Sequence, residues 1–300
     1  MATSKNFVLI GAAGYIAPRH MEAIKLTGNN LIAALDKNDS VGILDTYFPE
    51  CDFFTEFERF DRHCEKLKLQ GTLIHYVVVC SPNYLHDAHI RFGLRLGADV
   101  ICEKPVVLNP WNIDALQAIE QQTNHKVNCI LQLRLHPEII KLKEQILNTP
   151  KDIIHQVTLD YVTPRGNWYA HSWKGDVSKS GGVVTNIGIH LFDVLIWIFG
   201  EVISYTVTTL NNKTAKGTLK LQQAHVSWLL SIDDEVRSIM HNESKSYRKM
   251  MVNDSVYSFD KVFTELHTNS YAHIIDGKGY GLAHAKPAIE LVHQIRLAKL

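Results

Sequence analysis

Five short apolar runs, Phe7–Ile10, Leu31–Leu35, Tyr76–Val79, Val100–Cys102 and Val127–Leu131, recur along the first 131 residues with helix-like segments between them. A strand that is apolar at nearly every position must be covered on both faces, and crossover helices between parallel neighbours provide that cover. Helices fit over Pro18–Leu26, Glu56–Leu69, Leu85–Leu96 and Pro110–Gln122, the last with proline at a first-turn position. Residues 1–131 are therefore predicted to form a doubly wound α/β domain around a parallel sheet.

The rhythm changes at about residue 132. Ile153–Val162, Ser204–Asn211, Thr218–Ser231 and Ser255–Phe259 are strand-like, with one helix over Gly182–Phe199 and another over Ala283–Ala298. Strands with few helices between them predict an α+β domain with an open, mostly antiparallel sheet over 132–300, serving substrate binding and oligomerisation. An open sheet needs its outer face covered, so a homo-dimer or homo-tetramer is expected. The 300-residue chain is long enough for two cores. Lysine plus arginine equals aspartate plus glutamate, 31 each, which leaves no global field for nucleic acid or an anionic membrane. The first residues form neither a signal peptide nor a span, so a cytoplasmic protein is expected. The five cysteines are an odd number, which suits reduced thiols in apolar strands. His86 and His89 have helical i, i+3 spacing but no accompanying ligand motif, so no metal is expected.

Phe7-Val-Leu-Ile-Gly11-Ala-Ala13-Gly14-Tyr15-Ile16-Ala17 places small residues where the first strand turns into the first helix. Small residues let backbone amides approach a pyrophosphate, and the helix N-terminus favours its charge, which is the Rossmann-type arrangement. Asp36 ends the second strand, where a carboxylate can accept hydrogen bonds from an adenosine ribose and would repel a 2′-phosphate. NAD is thus expected over NADP. Ser81, Pro82, Asn83 and His86 follow the strand ending at Val79 and could line the ribose and nicotinamide side. The same residues would also make a tight turn, a solvated strand end and a helix cap with no ligand at all.

Cys102-Glu103-Lys104-Pro105 ends another apolar run, and Gly181-Gly182 precedes Asn186, His190 and Asp193. On one continuous helix those three residues would lie near a common face. A histidine and a lysine that both reach a sugar hydroxyl are useful where a hydride acceptor is bound. His190, with an ordinary pKa of about 6.5, suits removal of the hydroxyl proton, and Lys104 suits stabilisation of the charge developing on oxygen. The two could exchange roles. Glu103 could orient Lys104 or simply cap a strand end.

The glycine-rich turn, Ser-Pro-Asn-x-x-His, Glu-Lys-Pro and Gly-Gly-x(7)-His-x-x-Asp occur in the order that resembles the Gfo/Idh/MocA family of nicotinamide-dependent sugar oxidoreductases. The resemblance runs through nearly the whole chain. Gly11–His20, Pro164–Tyr169 and Ser172–Asp176 are most similar to the branch acting on UDP-N-acetyl-2-amino-2-deoxy-D-glucuronate in bacterial surface-polysaccharide (O-antigen) biosynthesis. That resemblance implies a nucleotide-sugar substrate, an NAD cofactor and oxidation of the sugar C3 hydroxyl to a 3-oxo sugar. Lys104 and His190 would be catalytic. Gly11, Ala13, Gly14, Tyr15, Ile16, Asp36, Ser81, Pro82, Asn83, His86, Glu103 and Lys104 would contact the cofactor. The family often has aspartate where this chain has Asn186, which cannot act as a carboxylate base. Arg165, Trp173, Lys174 and Lys179, with Lys104, Asn186 and His190, would bind substrate, because cations beside aromatic faces suit a carboxylate, a diphosphate and a flat base. A related sugar or cyclitol dehydrogenase, or a non-catalytic nicotinamide-sensing regulator, would share much of this pattern.

Overall fold

A computed structural model describes residues 4–239, 246–258 and 265–299. The chain divides into two compact units, the first comprising Met1–Val107, Trp111–Gln132 and Thr264–Ala285, the second Leu108–Pro110, Leu133–Phe263 and Lys286–Leu300. The second unit is therefore not the single run 132–300 that the sequence pattern suggests, since a late segment returns to the first.

In the first unit, β1 (Asn6–Ile10), α1 (Ala17–Leu26), β2 (Asn30–Leu35), α2 (Ile43–Tyr47), β3 (Asp52–Phe54), α3 (Phe57–Leu69), β4 (Tyr76–Val79), α4 (His86–Leu96), β5 (Asp99–Cys102), α5 (Pro110–Thr123) and β6 (Val127–Cys129) follow in order. All pairings are parallel, and the strands lie in the order β3-β2-β1-β4-β5-β6. Strand order reverses between β1 and β4, which opens a crevice at the carboxyl ends of those neighbours. Phe7, Val8, Leu9, Val77, Val78, Val79, Val100 and Ile101 are completely buried, as double-sided cover requires. The short β3 escapes the pattern because it is an exposed edge of three residues.

The later elements are α6 (Pro137–Leu147), β7 (His155–Val162), α7 (Trp168–His171), α8 (Val177–Ser180), α9 (Gly182–Asn186), α10 (Ile189–Phe199), β8 (Val202–Leu210), β9 (Thr214–Leu221), β10 (Ala224–Ser231), α11 (Asp234–Ile239), β11 (Tyr247–Val252), β12 (Ser255–Ser258), α12 (Leu266–Ile275) and α13 (Leu282–Arg296). The sheet of the second unit runs β12-β11-β7-β10-β9-β8. It is antiparallel except for β7 beside β10, which are parallel because two more strands and several helices separate them in sequence. The expected strand Thr218–Ser231 is the hairpin β9–β10, and Phe259 lies outside the described residues. Along β9 the side chains alternate, with Ala215, Leu219 and Leu221 buried and Lys216, Thr218 and Lys220 exposed. On the buried face, Phe192 of α10 packs edge-on against Trp228 of β10, ring centres 5.4 Å apart.

The helix expected over Gly182–Phe199 is two helices, with an axis change of 44° between Val177–Asn186 and Ile189–Phe199. Gly188 occupies the break. A Cβ there would collide with the Val184 carbonyl and with Leu230 and Phe192, so the chain passes where only glycine fits. Asn186 and His190 therefore belong to different helices. Among the described residues no single helix is long and apolar enough to cross a membrane.

Candidate active site

Within the first unit, the loops after β1, β2, β4 and β5 meet along one edge of the sheet. Gly11 leaves β1 at φ 99°, and a Cβ there would lie 2.6 Å from the Cys80 carbonyl carbon and 2.7 Å from the Ser81 nitrogen. Only glycine lets the β1 turn approach the β4 turn so closely. The Gly14 amide closes the turn on the Gly11 carbonyl at 3.0 Å, and the Ala17 amide bonds to the Gly14 carbonyl at 3.1 Å. Tyr15 is almost wholly exposed, with Gly14 and Ile16 half-buried beside it. Asp36 accepts from the Ala13 amide at 2.9 Å and from the Asn38 amide at 2.9 Å. A carboxylate has about four acceptor positions, so Asp36 retains capacity for further hydroxyl donors. The glycine cradle, the first-helix N-terminus and this carboxylate fit a dinucleotide.

Ser81 and Asn83 are buried, and Ser81 Oγ bonds to His89 Nδ1 at 2.8 Å. Pro82 opens the 3-10 turn Asn83–Leu85 that leads into α4. Burial, with His86 nearby, depresses the His89 ring to about 4. His86 is itself a brace. Its Nδ1 lies 2.7 Å from the Pro105 carbonyl and its Nε2 2.7 Å from the Ser81 carbonyl. The ring thus ties the β4 loop to the Glu-Lys-Pro turn through the backbone. Burial lowers its pKa while the two carbonyls work the other way.

Glu103 is 7% exposed. Its Oε1 accepts from both His20 Nε2 and His267 Nε2, each at 2.9 Å, and its Oε2 accepts from the Lys104 amide at 3.2 Å. His20 Nδ1 lies 2.8 Å from the hydroxyl of Tyr271. Burial favours the neutral acid, but the hydrogen bonds from His20 and His267 hold Glu103 well below the usual carboxylate range. Burial also lowers His20 and raises Tyr271 well above the usual phenol range. An ionised Glu103, an Nε2-protonated neutral His20 and a neutral Tyr271 donating to it satisfy these bonds together. The Nδ1 of His267 is buried and has no partner among the described residues. The carboxylate is therefore held mainly by imidazoles, a pattern the sequence does not announce. His20 and His267 are 247 residues apart by their numbers. The ligand-type atoms of His20, Glu103 and His267 lie within 4.8 Å of one another, and both imidazole Nε2 atoms are already directed at the carboxylate. Lys104 is half-buried at the head of this turn.

Within the second unit, the 165–186 segment gathers most of the predicted substrate residues. Lys174 Nζ lies 5.3 Å from the Trp168 ring centre and 5.7 Å from that of Trp173. Burial lowers the Lys174 pKa, and the Arg165 charge adds to the shift. Asn186 donates to the Tyr169 hydroxyl at 2.7 Å. Burial raises Tyr169, opposed by the Asn186 bond and by Arg165. Arg165 is exposed and lies close enough to act on both Tyr169 and Lys174. Tyr169, one of the aromatic residues that alternate with the cations of this segment, joins the cluster through its bond to Asn186. Lys179 instead forms a 3.3 Å pair with Asp176. His190 is half-buried in the first turn of α10.

Asp193, expected to share a face with His190, points into the unit. It makes a two-pronged ion pair with Arg134, Nη2 to Oδ1 at 2.7 Å and Nε to Oδ2 at 3.0 Å, with side-chain exposures of 6% and 4%. The Arg134 guanidinium stacks 5.6 Å from the Trp197 ring centre, and Lys143 Nζ lies 3.9 Å from that same ring. Asp193 is thus an internal anchor.

Residues 5–130 match an oxidoreductase family, NAD-binding Rossmann fold, and residues 143–228 match the same family's C-terminal alpha/beta domain. The WlbA (WbpB) dehydrogenase from Thermus thermophilus, crystallised with NAD and alpha-ketoglutarate, is 42% identical with a TM-score of 0.95, covering 99% of this chain and 96% of that one. The same enzyme with NAD and UDP-GlcNAcA superposes with a TM-score of 0.94, at the same identity and coverage. Oxidoreductase YteT of Bacillus subtilis is 29% identical over 51% of this chain and 36% of its own length. The chain spans only 35–40% of the length of the first curated relatives it matches.

Proposed function

This chain belongs to the Gfo/Idh/MocA oxidoreductases, and on that premise we propose that it oxidises the C3 hydroxyl of UDP-N-acetyl-2-amino-2-deoxy-D-glucuronate with NAD, giving a 3-oxo sugar for bacterial surface-polysaccharide synthesis. One observation carries the reading: end-to-end likeness at 42% identity to a dehydrogenase crystallised with NAD and UDP-GlcNAcA. The Glu103–Lys104–Pro105 turn and the cluster of Arg165, Trp168, Tyr169, Trp173 and Lys174 supply local support.

Bound NAD supplies a hydride acceptor for the hydrogen on C3. The Gly11–Gly14 turn would let the diphosphate approach the Tyr15 and Ile16 amides at the N-terminus of α1, Asp36 would take its adenosine ribose, and Ser81, Pro82 and Asn83 would line its nicotinamide side. His190 removes the hydroxyl proton, and Lys104 hydrogen-bonds the same oxygen as negative charge develops there. Arg165 pairs with the sugar carboxylate. Lys174, held beside two indoles, is suited to diphosphate or base. The outer, polar face of the second unit's sheet would join copies into a homo-dimer or homo-tetramer, which mass spectrometry under non-denaturing conditions reads directly.

Adding UDP-GlcNAcA to the NAD-loaded protein should raise absorbance near 340 nm. No rise, together with a rise on a cyclitol or an unlinked sugar, overturns the substrate; no rise with any sugar favours a sensing role. Arg165→Ala should erase most of the discrimination against UDP-N-acetylglucosamine, about one to two orders of magnitude. Equal wild-type efficiencies on the two sugars would eliminate uronate recognition.

The Thermus complex with alpha-ketoglutarate supports a second reading of the same site. Alpha-ketoglutarate, a 2-oxo acid, can take up hydride and a proton at its carbonyl to become 2-hydroxyglutarate, which would regenerate NAD between turnovers. Loss of 340 nm absorbance on adding it to NADH-loaded protein is the expected result, and unchanged absorbance rejects this reading.

A further inference from the structure

Glu103 and Lys104 are adjacent in sequence, yet their turn is held by residues from both ends of the first unit. His20 comes from α1, and His267 and Tyr271 come from α12 in the returning segment. All three side chains are buried, at 0%, 4% and 0% exposure. The hydrogen bonds run in one direction, from the Tyr271 hydroxyl to His20 Nδ1, from His20 Nε2 to Glu103 Oε1, and from His267 Nε2 to that same oxygen. The other carboxylate oxygen receives the amide of Lys104. A buried carboxylate loses hydration that only strong donors replace, so the two imidazoles fix where it sits. Because its second oxygen takes the lysine amide, the backbone carrying Lys104 is fixed as well. Packing holds the donors in turn: Tyr271 stacks on Phe7 with ring centres 5.9 Å apart, and the His20 and His267 rings meet edge to face at 5.1 Å.

We propose that His20, His267 and Tyr271 are positioning residues for catalysis, setting the place of Lys104 through the buried carboxylate of Glu103. The proposal rests on Lys104 acting in the sugar oxidation inferred above. It gives a function to α12, which lies more than 150 residues from the turn it serves, about a distance in sequence that no local motif spans. A pre-set lysine needs no reorganisation when charge develops on the substrate oxygen, so the network should act on the chemical step and leave cofactor affinity alone.

Tyr271→Phe is the mildest probe, because it removes one hydroxyl and keeps the ring. His267→Gln, which retains an N–H donor, is a second, and the full-length protein is used for both. With UDP-GlcNAcA deuterated at C3, Tyr271→Phe should lower kcat roughly fivefold to tenfold, raise the isotope effect on kcat, and leave the KM for NAD within about twofold. Hydrogen–deuterium exchange of the NAD-free protein should speed up in the peptide covering residues 102–108, where the Lys104 amide lies. Folded variants with unchanged kcat and unchanged exchange overturn the proposal. A raised KM for NAD with an unaltered isotope effect also overturns it, assigning the network to cofactor binding. If wild-type protein is inactive on this sugar, the substrate reading fails separately, and the exchange measurement still decides whether the network holds the lysine turn.

Discussion

Asp36 illustrates how much one side chain can be asked to do. Two backbone amides occupy part of its carboxylate and fix its direction, while the remaining lone pairs can take ribose hydroxyls. An added 2′-phosphate would meet that fixed negative charge. Asp36→Ala is therefore expected to cut the preference for NAD over NADP by about tenfold or more, read from kcat/KM with each cofactor; an unchanged ratio would move selectivity elsewhere. For the proton-handling pair, Lys104→Met and His190→Asn should each lower kcat by about two orders of magnitude or more while NAD still binds. Near-normal turnover in either variant removes that residue from the chemistry. His86, by contrast, contacts backbone carbonyls with both nitrogens, so it braces the two loops it joins.

At the scale of elements, the break between α9 and α10 decides which polar residues face which way. Read as one helix, the segment aligns Asn186, His190 and Asp193. Broken at Gly188, it leaves Asn186 bonded to Tyr169 and turns Asp193 toward Arg134. Removing one partner of a buried ion pair strands the other charge, at a typical cost of about 3–5 kcal/mol. Asp193→Ala and Arg134→Met should each destabilise the protein by about that amount in urea unfolding. The double variant Arg134→Met with Asp193→Leu should recover much of it, since apolar replacement of a buried pair is often near neutral. Single variants that lose less than about 1 kcal/mol would show that the pair does not hold α10 in place.

For the molecule as a whole, buried imidazoles set an acid limit on stability. Burial lowers His20 and His86 and takes His89 from 6.5 to about 4. Their folded pKa values lie below the unfolded ones, so below pH ~6.5 the unfolded chain binds protons that the native protein does not. Stability is complete above that pH and declines as pH falls, with His89 alone worth at most about 3 kcal/mol. Glu103, depressed despite its burial, acts with the same sign from about 4.5 downward. Unfolding free energy should therefore be flat near pH 8, fall between pH ~6.5 and 4, and fall less steeply there in His89→Gln; a constant value over that range would contradict the assignment. The parallel sheet of the first unit and the tight turn after β1 were legible from apolar runs and small residues, because strand burial and tight turns are imposed by neighbours a few residues apart. The alternating strands β7, β8, β10 and β12 of the second sheet were legible for the same reason, whereas the β9–β10 turn passed unnoticed inside one apolar-polar run and β11, rich in basic residues and methionine, was not expected. The return of α12 to the first unit, the imidazole clamp on Glu103 and the Arg134–Asp193 pair were decided only in three dimensions. Hydrogen bonds between residues 59 to 251 positions apart have no local period, and their partners become determinate only when packing brings the elements that carry them together.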